Sequence, residues 1–329
     1  MQRPDGVVAL ASQSVIKGDY STSISFALSH LAWWICCIER YSSAAFSGRS
    51  SPNPSEYILI ERGGRSMANV DANIAYWGQN SSWKNRGDEW SEAWGSPENQ
   101  WEATVYPRIK NFLPVSCILE IAPGFGRWTE FLRRYCDRLI GVDLNENCIR
   151  GCEERFRNDP RLSFHQNDGV SLKFVADASV DLIFSFDSLV HAECDVIEGY
   201  FAQFPRILRP NGVAFIHHSN FGACGIIRPS SKLNHVPMFE HYLRRTGLTP
   251  SNFHWRARNV SAKTVRAACK RQGLRCVQQE TINWGGSVLN DCFSLIARGD
   301  SALSDGRLVA NPSFMEEARR IKNRHRSDH

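Results

Sequence analysis

Residues 117–129 read CILEIAPGFGRWT. A short apolar run, Ile118, Leu119 and Ile121, carries a single acid, Glu120, and stops at Pro123-Gly124-Phe125-Gly126, before a helical pattern that begins at about Arg127. That order predicts a strand, a tight glycine turn and a helix. Glycines at 124 and 126 let the backbone approach a ligand closely and take φ values that a Cβ disfavours. The first N–H groups of the next helix lack partners within it and face back into the turn. A Gly-x-Gly step alone is common, so its surroundings decide what it means.

Downstream, strands and helices alternate. Residues 137–144 (DRLIGVDL) read as a strand ending in Asp143, 145–156 as a helix, and 162–165 as a short strand that runs into Asn167-Asp168-Gly169. Residues 180–186 (VDLIFSF) are nearly all apolar, as in a strand buried on both faces. A helix over 196–208 ends at the breaker Arg209-Pro210-Asn211-Gly212, and 213–217 is the next strand. Residues 220–258, rich in Gly, His, Pro and Arg, are too long for a simple connection and read as an insertion over a site. A helix over 261–272 and two strands, 274–280 and 289–298, follow, the strands joined by Asn283-Trp284-Gly285-Gly286 as in a hairpin. The whole predicts an α/β, doubly wound, mostly parallel sheet of seven strands with an antiparallel last strand.

Ligands of such sheets lie beyond the carboxyl ends of the strands. The polar residues there form a consistent set. Glu120 precedes the turn made by Ala122, Gly124 and Gly126. Asp143 could accept from two vicinal ribose hydroxyls, and Asp168 from an exocyclic adenine amine. Any one of these acids is more simply a cap or turn former. Three at successive strand ends are harder to explain that way.

Together ILEIAPGFG, GVDLN, NDG and VDLIFSFDSL resemble the class I S-adenosylmethionine-dependent methyltransferases, over about residues 100–300. The family normally has Gly where Ala122 stands, but the two glycines that make the turn remain. More narrowly, EIAPGFGRWT, FSFDSLVHAE and FIHHSN are similar to bacterial methyltransferases acting on fucose or rhamnose hydroxyls, in mycobacterial glycolipids and rhizobial nodulation factors. The resemblance implies S-adenosylmethionine as cofactor and a glycosylated lipid or oligosaccharide as acceptor. Methyl transfer from a sulfonium is an in-line displacement dominated by alignment. A sugar hydroxyl is a poor nucleophile near neutral pH, so a base is worth about 10² to 10⁴ in rate. His191, just beyond the fourth strand, is the expected base, with Asp187 or Glu193 orienting its ring or positioning sugar hydroxyls. His217 and His218, closing the fifth strand, stand in reserve. Asp187, Glu193 and Asp195 are also candidate magnesium ligands, although their spacing is not diagnostic.

Composition narrows the classes. The 329 residues suit one large domain or two small ones, and a charge of +5 from 39 basic and 34 acidic residues, with no basic helix face, argues against a nucleic-acid groove. Eleven cysteines without paired CxxC spacing read as buried apolar residues in a reducing, cytoplasmic setting. Residues 1–66 are Ser-rich and expected to be a poorly ordered extension. Their apolar stretch 24–38 is shorter than the ~20 residues of a spanning helix, so no stable membrane insertion is expected. Glu61-Arg62-Gly63-Gly64 back-translates into a purine-rich run upstream of Met67, which suggests Met67 as the translation start. Residues 67–116 form a cap rich in tryptophan (Trp77, Trp83, Trp90, Trp94 and Trp101), read as a ligand mouth, although packing would explain any single one. Residues 117–300 form the cofactor-binding domain with an acceptor-site insertion at 220–258, and 301–329 a basic tail whose cluster from Arg319 is expected to fray. Self-association stays open. The rivals are a methyltransferase with an aromatic or amine acceptor, a catalytically idle protein of the same fold, and an NAD-binding oxidoreductase. The last is disfavoured by Thr129, where a third glycine would stand, and by Glu120 before the turn.

Overall fold

The computed structural model describes residues 70–78, 83–224, 256–285, 288–304 and 306–327. The extension 1–66 and most of the insertion 220–258 lie outside them. Among the described residues, eight strands form one sheet: β1 Val115–Ile121, β2 Cys136–Asp143, β3 Leu162–Gln166, β4 Val180–Ser185, β5 Leu208–Ser219, β6 Leu274–Ile282, β7 Asp291–Arg298 and β8 Leu308–Asn311. Their order is β3-β2-β1-β4-β5-β7-β6-β8, and only β7 runs antiparallel to its neighbours. The order reverses between β1 and β4, the switch point where open α/β sheets bind ligands.

The sheet is built as the sequence pattern requires. In β1 successive side chains point to opposite faces. Leu119 and Ile121 join a core that includes Ile183, Phe201 and Val265, whereas Ile118 joins another with Leu182, Phe215 and Trp101. The helices are α1 Val70–Trp77, α2 Pro97–Gln100, α3 Tyr106–Ile109, α4 Thr129–Leu132, α5 Glu146–Arg155, α6 Cys194–Phe201, α7 Phe204–Ile207, α8 Ala262–Arg271 and α9 Phe314–Ser327. A capping box of Ser261 and Thr264 starts α8, and Lys270 and Arg271 sit at its carboxyl end, where the helix dipole favours cations.

Four expectations change. The sheet has eight strands, not seven. The helix after the glycine turn is only the four residues of α4, because the chain stays in turns through Trp128. The breaker 209–212 lies inside β5, where it bulges: Val180 and Leu182 of β4 pair with Leu208 and Val213. Finally, the cluster from Arg319, expected to fray, is helical through Ser327. Residues 308–311 pair with β6 in parallel, and α9 buries Phe314 (2% exposed) and Ala318 beside Trp94 and Trp284. The apolar positions 314 and 318 are one helical turn apart, while Glu316 and Glu317 suit the helix start. Only the carboxyl-terminal half of this helix carries the arginines and lysine that read as a tail.

Candidate active site

Beyond the carboxyl ends of β1, β2 and β4 the described residues enclose a cavity of about 380 Å³, within the usual range for small-molecule sites. At its floor is the glycine turn. Gly124 has φ +59, and a Cβ there would lie 2.7 Å from the Trp83 ring, so only glycine fits beneath that indole. Gly126 (φ +81) also excludes a side chain, but the obstacle is Phe156, and this glycine faces away from the cavity. Ala122 reaches φ +57 despite its Cβ, and its carbonyl accepts from the Ser188 hydroxyl at 3.0 Å.

Asp143 lines the cavity and is 6% exposed. Its Oδ2 accepts from the Gly124 N–H (3.1 Å) and its Oδ1 from the Asn145 N–H (2.9 Å). A carboxylate has about four lone-pair sites, so with a further backbone bond from Leu144 roughly one remains for a ligand. Burial raises its pKa to about 6 against the pull of these backbone bonds. Glu120 lies behind the turn and does not line the cavity. Its Oε2 accepts from the Thr129 hydroxyl, tying β1 to α4, while buried Oε1 has no partner. Burial, aided by the nearby Asp143 charge, raises its pKa to about 7 despite the Thr129 bond. Asp168 is exposed and outside the lining. Its Oδ1 accepts from the Val170 and Ser171 N–H groups, the turn-forming role, and Gly169 reaches the cavity in its place.

The cavity lining also includes the side chains of His191 and Asp187. His191 ends a short 3-10 turn, Leu189–His191, and is buried. Its ring lies 5.2 Å from that of Trp77, and its carbonyl accepts from Asn73 Nδ2 at 3.0 Å, so α1 is pinned over it. Trp77, Trp83 and Trp90 form one aromatic wall, with ring separations of 5.7 Å from Trp77 to each of the others. Trp94 and Trp101 belong instead to the core.

Asp187 also lines the cavity, but its Oδ2 pairs with Arg127 Nη2 at 3.0 Å. Its backbone sits at φ +62, and its N–H donates to His217 Nδ1 at 3.1 Å. That bond places the ring proton of His217 on Nε2, 3.3 Å from Asp291 Oδ2. Asp291 is gripped by Arg256 through two bonds of 2.7 Å. Burial alone would raise the Asp291 pKa, but the Arg256 guanidinium and His217 bring it down to about 2. His218 is elsewhere: fully buried, it bonds Ser219 O and Ser294 Oγ at 2.8 Å each and does not line the cavity. Burial drops its pKa to about 4. The reserve role for His218 is thereby corrected to a core hydrogen-bonding one. Among the described residues no three His, Cys, Asp or Glu side chains are grouped to hold a metal ion. Arg127, Arg256 and Asp291 had no sequence signal beyond Arg127 directly following the glycine turn.

Residues 118–212 match the family model of a methyltransferase domain. A 60-residue stretch is 35% identical to ribosomal RNA small subunit methyltransferase A of Geobacter metallireducens, covering 18% of this chain and 22% of that one. The chain thus spans about a fifth of that relative's length. Solved structures similar to it include the PH0226 protein of Pyrococcus horikoshii (18% identity, TM-score 0.45, 61% of this chain and 90% of that one). Another is N-methyltransferase NodS of Bradyrhizobium japonicum (18%, TM-score 0.43, 61% and 98%). The matched segment contains the glycine turn, Asp143 and His191. Residues 118–212 thus match a methyltransferase domain, and the cofactor is S-adenosylmethionine, which the remaining acceptor capacity of Asp143 and the open glycine turn fit. Among the described residues no helix is long and apolar enough to cross a membrane.

Proposed function

We propose that the protein is an O-methyltransferase acting on a deoxyhexose hydroxyl, fucose or rhamnose, of a lipo-oligosaccharide or glycolipid. The 2-hydroxyl of fucose on a nodulation factor is the favoured acceptor. The observation that carries this reading is the juxtaposition of buried His191 with the indole wall of Trp77, Trp83 and Trp90. Indole faces pack against the apolar face of a sugar ring, and the imidazole beside them is of the right type to take a hydroxyl proton.

S-adenosylmethionine, when bound, would supply the methyl group. Asp143 and the turn at Gly124 hold the cofactor, while the aromatic wall excludes water from the acceptor and His191 takes its proton. Gly169 offers a close backbone approach beside Leu144. Asp187, paired with Arg127 on the cavity wall, positions the acceptor's hydroxyls.

The test is mass spectrometry of fucosylated and rhamnosylated lipo-oligosaccharides incubated with the protein and S-adenosylmethionine, with and without a chelator. One added methyl on the deoxyhexose, lost in His191→Ala, is expected. Transfer that survives His191→Ala favours an amine acceptor, which needs no base. Cofactor binding without transfer to any sugar removes the reading.

A further inference from the structure

From the cavity wall we infer that the Arg127–Asp187 pair is a clamp for a second hydroxyl of the acceptor, vicinal to the one that is methylated; this rests on the sugar-acceptor reading above. Both side chains line the same cavity as His191, and Asp187 stands four residues before it on one short segment. A pyranose that offers one hydroxyl to the imidazole presents the next one along the same wall.

The pair has capacity to spare. Asp187 Oδ2 is taken by Arg127, while Oδ1 has no partner among the described residues. Arg127 has five N–H donors, of which one reaches Asp187 and one reaches Ser91 Oγ at 3.3 Å. Its guanidinium stacks on Trp128, 4.6 Å from the ring centroid, which fixes its plane. Burying an ion pair is costly and seldom a net gain in stability, yet this one is nearly enclosed, with side chains 8% and 14% exposed. It is also neutral overall. An acceptor oxygen beside a set of unspent N–H donors matches a hydroxyl, which both donates and accepts, better than it matches an anion.

The backbone supports the same assignment. A non-glycine residue at φ +62 is strained and persists where its surroundings impose it. Here the imposing chain is buried and continuous: Arg256 grips Asp291, Asp291 faces His217 Nε2, and His217 Nδ1 receives the Asp187 N–H. Three buried residues thus fix the backbone that carries this carboxylate at the cavity wall. His217 is in this sense a positioning residue for Asp187.

The experiment compares the methylated deoxyhexose acceptor with synthetic versions lacking one hydroxyl at a time, using wild type and Asp187→Asn. Asparagine tolerates the left-handed backbone and keeps the shape while removing the charge. For wild type, deleting the hydroxyl vicinal to the methylated one should lower kcat/KM by roughly 10- to 100-fold, the range for a hydrogen bond to a charged group. Asp187→Asn should lose a similar factor on the intact acceptor and nothing further on the vicinal deoxy one. Equal wild-type rates on all deoxy acceptors, or losses that simply multiply in the variant, overturn the clamp while leaving the sugar reading in place. Transfer to no deoxyhexose overturns both.

Discussion

The five tryptophans of residues 77–101 divide into two groups with different work. Trp77, Trp83 and Trp90 line the cavity, and Trp90 remains 39% exposed. Trp94, 1% exposed, and Trp101 pack into the core beneath the sheet, with Trp94 against Trp284 and Phe314 and Trp101 stacked on Phe131. Local density of one residue type therefore marks a block but not a shared role. The two histidines His191 and His218 repeat the lesson: one faces the cavity, the other is satisfied inside the sheet. Cavity-facing residues should affect catalysis with little cost in stability, and core residues the reverse.

The sharpest break between the groups should come from His191→Ala. Loss of the base is expected to lower kcat by about 10² to 10⁴, while calorimetric affinity for S-adenosylhomocysteine is retained. On the core side, Trp94→Ala should cost about 3–5 kcal/mol of stability, read from urea unfolding. Trp90→Ala should cost less than about 1 kcal/mol and appear instead as a weaker KM for the acceptor.

A smaller effect separates the histidines by pH. Burial lowers the His218 pKa from 6.5 to about 4. Above pH 6.5 the ring is neutral in the folded and unfolded chain alike. As pH falls towards 4 the unfolded chain takes the proton first, so stability drops, by about 2 kcal/mol at pH 5. His218→Gln should remove this loss, so that urea unfolding at pH 7 and pH 5 shows a smaller decline than in wild type. The smallest effect belongs to the glycine turn. Ala122→Gly relieves a left-handed alanine, worth about 1–2 kcal/mol, against glycine's entropic cost of roughly 0.5–1 kcal/mol. A rise in Tm of roughly 1–3 °C is expected.

Much of the fold is legible in the sequence, because apolar runs such as 117–121 and 180–185 and the turn at 123–126 are local signals. The eighth strand is not: Leu308 and Val309 are exposed, and four residues on a sheet edge carry no period that distinguishes them from a loop. The cavity lining is legible where it hangs on strand ends, as at Gly124, Asp143 and His191. It is illegible where it depends on long-range pairing. Nothing in the sequence near Arg127, Arg256 or Asp291 indicates that the first pairs with Asp187 and the other two with each other, across separations set only by the sheet order. Asp168 is a motif position with a second, local role, since its Oδ1 accepts from its own turn and only the neighbouring Gly169 lines the cavity.

The most direct measurement is tandem mass spectrometry of the product formed by wild type on an acceptor that carries both a deoxyhexose and a free amine. The account predicts the added methyl on an oxygen of the deoxyhexose. A methyl on the nitrogen, with the deoxyhexose unchanged, would contradict it.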